Sequence, residues 1–212
     1  GGLPSNTGSA GKPPPYDGPP ALLVVPQTAQ ADGAFCLDST PAGYYFRPGV
    51  GKNASKWVLF LEGGGWCYSN ITCIERRTRW FSMGSMKGRS KRLDKTYKHG
   101  FCSPDPVTNP DFHDWTHVFF IYCDGSSFTS NQEKPIYRPA PLWNNTMVSL
   151  YFRGHRVLQT TLKDLFLHRR LGEATEVLLA GHSAGAMAVL IHADAIRARF
   201  AASTRFVAVV DA

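Results

Sequence analysis

Few chains can carry the stretch Glu176-Val177-Leu178-Leu179-Ala180-Gly181-His182-Ser183-Ala184-Gly185 without committing to one local geometry. An apolar run breaks at a glycine, presents a serine, meets a second glycine and continues into helix-forming sequence. That order predicts strand, sharp turn and helix. Gly181-His182-Ser183-Ala184-Gly185 fits the G-x-S-x-G elbow, whose glycines make room for a strained turn that lifts the serine hydroxyl clear of a sheet. Ser183 is therefore the candidate catalytic nucleophile. The competing reading makes it the N-cap of an ordinary strand-to-helix loop.

Other segments supply the sheet around that turn. Ala21 to Val25 and Gly43 to Arg47 predict two short strands, with Asp32-Gly33 turning the chain between them in an antiparallel start. Lys56 to Leu61, His117 to Tyr122 and Arg205 to Asp211 are continuous apolar runs of the kind buried on both faces of a sheet. Phe152 to Leu171 reads as an amphipathic helix with Val157, Thr161, Leu162, Leu165 and Phe166 on one stripe and Gly172 as its stop; a second helix spans about Ala184 to Phe200. Strand, helix and strand alternate, which predicts an α/β fold with a mostly parallel sheet and flanking helices.

The residues just past each apolar run carry the chemistry. Lys56 to Leu61 ends in Glu62-Gly63-Gly64-Gly65-Trp66-Cys67. Three glycines leave backbone N–H groups uncovered, which suits a loop that binds an oxyanion through its main chain; the bland reading is a flexible hinge. His117 to Tyr122 ends in Cys123-Asp124-Gly125-Ser126-Ser127-Phe128, where Asp124 either braces the site or caps the turn. His192 and Asp194 lie about two hundred degrees apart on their helix and cannot act as a pair. His182 adjoins Ser183, but an elbow points neighbouring side chains apart. His155 and His168 sit on the preceding helix.

The chain has 212 residues, enough for a substantial core, and a net charge of +7. Much of the excess falls between Glu75 and His99, in Arg76, Arg77, Arg79, Lys87, Arg89, Lys91, Arg92, Lys95 and Lys98. It reads first as a solvated basic loop and second as a surface for an anionic polysaccharide. No nucleic-acid signature accompanies it, and Trp80, Phe81 and Tyr97 are too scattered for a stacking platform. No stretch approaches a membrane span. Residues 1–20 read as a flexible Gly/Pro-rich lead-in, with Asn6 and Pro13 standing where a phosphate loop would need glycine and Ser or Thr. Cys36, Cys67, Cys73, Cys102 and Cys123 lack paired C-x-x-C spacing, so disulfides with one odd thiol are expected ahead of buried free thiols. Asn53, Asn70 and Asn144 are candidate glycan acceptors.

Leu61-Glu62-Gly63-Gly64-Gly65-Trp66-Cys67, Tyr122-Cys123-Asp124-Gly125-Ser126-Ser127-Phe128, Tyr151-Phe152-Arg153-Gly154 and Gly181-His182-Ser183-Ala184-Gly185 with Ile191-His192-Ala193-Asp194 together resemble the pectin acetylesterase family, which also contains the Notum carboxylesterases. The likeness runs from about Ala21 to Ala212. It implies an α/β-hydrolase fold, secretion to the cell wall or extracellular space, no cofactor or metal ion, and ester hydrolysis by a Ser, Asp, His triad. By position, Ser183 matches the nucleophile; Gly64, Gly65 and Ala184 match the oxyanion donors, with Gly63 and Trp66 adjoining. His182 replaces the cysteine usual in plant members and Ala186 a glycine. In this family the acid and histidine follow the nucleophile at a distance that carries them beyond Ala212. Residues 21–212 are therefore expected to be the N-terminal part of one hydrolase domain, inactive alone, with Asp211 a structural residue ahead of a substitute acid. Acetylated pectin is the expected substrate for a monomeric enzyme. A lipid ester on a protein, or polysaccharide binding without catalysis, are the alternatives.

Overall fold

The computed structural model describes residues 18–78, 83–93 and 100–211. Most of the lead-in lies outside the described residues, as do Arg79, Trp80, Phe81, Lys95, Tyr97 and Lys98 of the basic stretch. Nine strands and three α-helices are described: β1 Ala21–Val24, β2 Tyr44–Arg47, β3 Lys56–Leu61, α1 Asn70–Thr78, β4 Arg92–Leu93, β5 Thr116–Phe120, β6 Ile136–Ala140, β7 Thr146–Leu150, α2 Gly154–His168, β8 Glu176–His182, α3 Ala184–Arg197 and β9 Arg205–Asp211.

Seven strands form one sheet in the order β4-β1-β2-β5-β3-β8-β9. β1, β2 and β4 are antiparallel additions, and β2 meets β5 antiparallel. From β5 onward every pairing is parallel, with Leu61 opposite both Phe120 and Gly181. The sheet is thus mixed, and its parallel half places the carboxyl ends of β5, β3 and β8 side by side. That alignment sets three loops at one edge, where open α/β sheets bind ligands. β6 and β7 form a separate hairpin.

The central strands are apolar because both faces are covered. Leu59, Leu61, Val118, Phe120 and Leu179 are buried with Leu158, Leu162 and Leu165 of α2 and Val189 of α3. α2 stops at His168 rather than running to Leu171. Arg170 takes a left-handed turn, at φ 63°, in place of the stop expected at Gly172. β9 departs from expectation more sharply. It is predicted buried on both faces, yet Val207 is 44% and Val210 40% exposed. Its apolar composition identifies a strand, but burial depends on what flanks it, and β9 is the outermost strand of the sheet among the described residues.

His117 lies buried on β5, its Nε2–H donating to the Phe112 carbonyl at 2.6 Å. Burial first, and then the nearby Arg47 charge, hold its pKa well below the ordinary 6.5. The unfolded chain therefore takes up a proton near 6.5 that the folded chain refuses, and stability falls as pH drops through that value. The unfolding free energy is expected to fall between about pH 7 and pH 5, with His117 contributing at most about 1.4 kcal/mol per pH unit, and to fall less in His117→Gln, as denaturant titration at each pH measures. Parallel slopes for the two proteins would contradict it.

Candidate functional site

β8 ends at His182, α3 begins at Ala184, and Ser183 occupies the single residue between them. Its backbone lies at φ 52°, ψ −117°, a conformation costly for any side chain. An ordinary N-cap has extended backbone and an oxygen bonded to the helix N–H groups. Ser183 has neither, for its side chain makes no capping hydrogen bond. The turn is tight enough to demand its glycines: a Cβ on Gly181 would lie 2.3 Å from the Gly185 carbonyl oxygen, and one on Gly185 would lie 2.0 Å from that of Leu61. Asp211 steadies the turn from β9, its carbonyl accepting the Ser183 N–H at 2.8 Å. Ala184 is the first residue of α3, so its N–H is one of the helix-start donors without an intrahelical acceptor.

The glycine loop leaves β3 directly against this elbow. A Cβ on Gly63 would stand 2.1 Å from the His182 carbonyl oxygen and 3.1 Å from Ser183 Cβ, so only glycine lets the two backbones approach this closely. Gly64 and Gly65 follow with φ of 144° and 65°. The hinge reading fits poorly, because four contacts pin the loop. Arg76 donates to the Gly64 carbonyl. Tyr122 Oη donates to the Gly65 carbonyl at 2.8 Å. Trp66 Nε1 donates to Ser127 Oγ at 2.7 Å. The Cys67 N–H reaches the Gly125 carbonyl at 3.1 Å. Disulfides Cys67–Cys73 and Cys36–Cys123 tie the loop to α1 and the strand-β5 loop to Cys36, and Cys102 remains a buried thiol. α1 itself starts on a reciprocal cap, Ser69 Oγ accepting the Thr72 N–H at 3.2 Å while Thr72 Oγ1 accepts the Ser69 N–H at 3.0 Å.

Beneath the loop sit two shielded carboxylates. Glu62 takes two bonds from Arg89, at 3.2 and 3.1 Å, and one from the Tyr122 N–H at 2.8 Å. Burial pushes its pKa up against the pull of Arg89. Asp124 is 1% exposed and receives Ser126 Oγ, the Ser126 N–H at 3.1 Å and the Phe128 N–H at 3.4 Å. Burial raises its pKa too, with those donors opposing. It packs on Gly154 at the start of α2, where a Cβ would come within 2.0 Å of Asp124 Oδ2. Asp124 therefore organises the 124–130 turn that presents Ser127 to Trp66.

The remaining residues divide clearly. His182 Nδ1 lies 3.3 Å from Asp211 Oδ2, with both side chains exposed. His192 is buried and bonds the Phe128 carbonyl at 3.1 Å, its ring 5.7 Å from that of His155, while Asp194 and His168 are exposed. Among the described residues no hydrogen bond reaches the Ser183 hydroxyl, and no group of three His, Cys, Asp or Glu is placed to hold a metal ion. Three arginines expected in a solvated basic loop are built into the fold instead: Arg76 on Gly64, Arg89 on Glu62, and Arg77 through Nε to the Ser149 carbonyl at 2.9 Å. Sequence spacing gives no sign of these long-range partners.

A strained serine between strand and helix, beside a glycine loop at the carboxyl edge of parallel strands, defines an α/β-hydrolase-like protein. Comparison with known proteins makes this specific. The family model for pectinacetylesterase matches residues 20–212. Pectin acetylesterase 7 of Arabidopsis thaliana is 39% identical over 173 residues, covering 81% of this chain and 40% of the relative. The palmitoleoyl-protein carboxylesterase NOTUM of Schmidtea mediterranea is 32% identical, over 77% of this chain and 28% of its own length. Among solved structures, the Wnt deacylase Notum from Drosophila superposes with a TM-score of 0.72 at 25% identity, covering 90% of this chain and 51% of that one. The chain belongs to the pectinacetylesterase family, and it spans less than half the length of these curated relatives.

Proposed function

We propose that this chain carries the nucleophile and oxyanion loop of a serine carboxylesterase that removes acetyl groups from pectin or a related cell-wall polysaccharide. The contact of Gly63 with the Ser183 turn is the observation that carries the reading, since it brings an N–H-rich loop to a presented hydroxyl. Ser183 Oγ attacks the acetyl carbonyl and passes its proton to a histidine; the N–H groups of Gly64, Gly65 and Ala184 take the charge that grows on the carbonyl oxygen. The protonated histidine gives that proton to the departing sugar oxygen, which leaves as a hydroxyl, and water then hydrolyses the acetyl-Ser183 ester to release acetate. The acid and histidine are proposed to lie outside residues 1–212, which agrees with the greater length of the relatives. Residues 21–212 are then the N-terminal part of one hydrolase domain that acts as a monomer.

Acetate release from acetylated pectin by the complete gene product tests this, with Ser183→Ala and residues 1–212 alone as inactive controls. Binding of pectin without acetate release would overturn catalysis in favour of a polysaccharide-binding role. The likeness to the Drosophila Wnt deacylase supports a second reading, removal of a fatty acyl group from a protein. Release of palmitoleate from an acylated peptide, with no acetate from pectin, would establish it.

Two disulfides support secretion. In a secreted product the sequons are not equivalent. Asn144 sits exposed at the tip of the β6–β7 turn, whereas the Asn53 amide donates to Asp114 Oδ2 at 2.7 Å. Mass spectrometry after enzymatic deglycosylation is expected to mark Asn144 and leave Asn53 unmodified.

A further inference from the structure

The loop after β3 lies between two neighbours. β5, with Tyr122 beyond it, flanks one side; β8, with Ser183 beyond it, flanks the other. Arg76 belongs to the β5 side. Its guanidinium stands over the Tyr122 ring at 5.4 Å, its side chain runs past Gly125, and it donates to the Gly64 carbonyl and, at 3.5 Å, to the Met83 carbonyl. A trans peptide points its C=O and N–H in opposite directions. Fixing the Gly64 carbonyl toward the β5 side therefore turns the Gly65 N–H toward the β8 side, where Ser183 stands. At φ 65° Gly65 has a backbone free to rotate, so an unpinned peptide here would sample both directions.

We propose that Arg76 is a positioning residue for ester hydrolysis: it clamps the Gly64 carbonyl so that the Gly65 amide faces the oxyanion formed at Ser183. This rests on the serine esterase reading of Ser183. Tyr122 supports the clamp twice, by carrying the guanidinium on its ring and by holding the next carbonyl, that of Gly65, at 2.8 Å. A cation suits the task because it holds a carbonyl more strongly than a neutral donor does. The planar fork also serves Gly64 and Met83 at once, which an ammonium on a flexible stem does less well.

The test compares Arg76→Ala, Arg76→Lys and Ser183→Ala in the complete gene product, with p-nitrophenyl acetate as probe. Arg76→Ala is expected to lower kcat by about 10²- to 10³-fold, the loss expected for one misdirected oxyanion donor, while KM changes little. Arg76→Lys should keep an intermediate rate, and added methylguanidine should restore part of the activity of Arg76→Ala. An unchanged kcat, or a change confined to KM, overturns the clamp while the loss in Ser183→Ala leaves the esterase reading standing. Activity retained by Ser183→Ala removes that reading instead. A crystal structure of Arg76→Ala, or of Arg76→Lys where alanine prevents folding, decides independently of turnover. A reoriented Gly64–Gly65 peptide supports the clamp, and an unmoved one overturns it.

Discussion

Ser183→Ala in the complete gene product is expected to lower kcat on an acetyl ester by about 10⁴-fold or more, and Ser183→Gly to do the same while making the protein more stable. The first half rests on the proposed role of Ser183: on that reading no acyl intermediate forms without the hydroxyl. The second half rests on the backbone. At φ 52° and ψ −117° a side chain is strained, and glycine releases about 1–3 kcal/mol of that strain. Alanine keeps the Cβ and so keeps the strain, which makes it the control for stability as well as for chemistry. Denaturant titration of the three proteins measures one effect and initial rates the other. An alanine variant within about tenfold of the parent rate would remove Ser183 from the mechanism. A glycine variant no more stable than alanine would show that the turn is relaxed, contrary to its geometry.

That turn was legible in the sequence because its pattern is local: Gly181 cannot carry a Cβ against the Gly185 carbonyl, Ser183 stands between the two glycines, and the apolar run before them fixes β8, although the reason Gly185 must be glycine lies at the distant end of β3. The strands Lys56–Leu61 and Arg205–Asp211 were readable for the same reason, as were the antiparallel pairing of Ala21–Val24 with Tyr44–Arg47 and the placement of the glycine loop. What escaped depends on partners distant in sequence. Nothing near Arg76 or Arg89 reveals that one pins Gly64 and the other Glu62. The β6–β7 hairpin hid because its exposed face carries Tyr137 and Met147, which blurs the alternation of polar and apolar residues, and because Pro139 sits inside a strand. The exposure of β9 likewise follows from what flanks it among the described residues and not from its composition.

Gly185→Ala should be the most damaging single methyl in the molecule's site region. Its Cβ would lie 2.0 Å from the Leu61 carbonyl oxygen, 2.7 Å from the Leu61 carbonyl carbon and 2.9 Å from the Glu62 oxygen, all of them backbone at the end of β3. Relief requires α3 to lift away from the sheet or the end of β3 to bend. Either movement separates the glycine loop from Ser183 and disturbs the pairing of Leu61 with Gly181. A loss of more than about 4 kcal/mol of unfolding free energy is expected, with activity lost even where some protein folds. Gly172→Ala supplies the comparison: its Cβ would meet only the Phe166 ring, at 3.3 Å, a side chain able to give way, so a change within about 1 kcal/mol is expected. Gly63→Ala separates packing from chemistry, since its Cβ would press on the His182 carbonyl and Ser183 Cβ rather than on the end of β3. Its activity should fall further than its stability. If Gly185→Ala folds with parent stability and Gly63→Ala keeps the parent rate, the glycine loop and the serine are not in contact, and a main-chain oxyanion site at this edge of the sheet is lost with them.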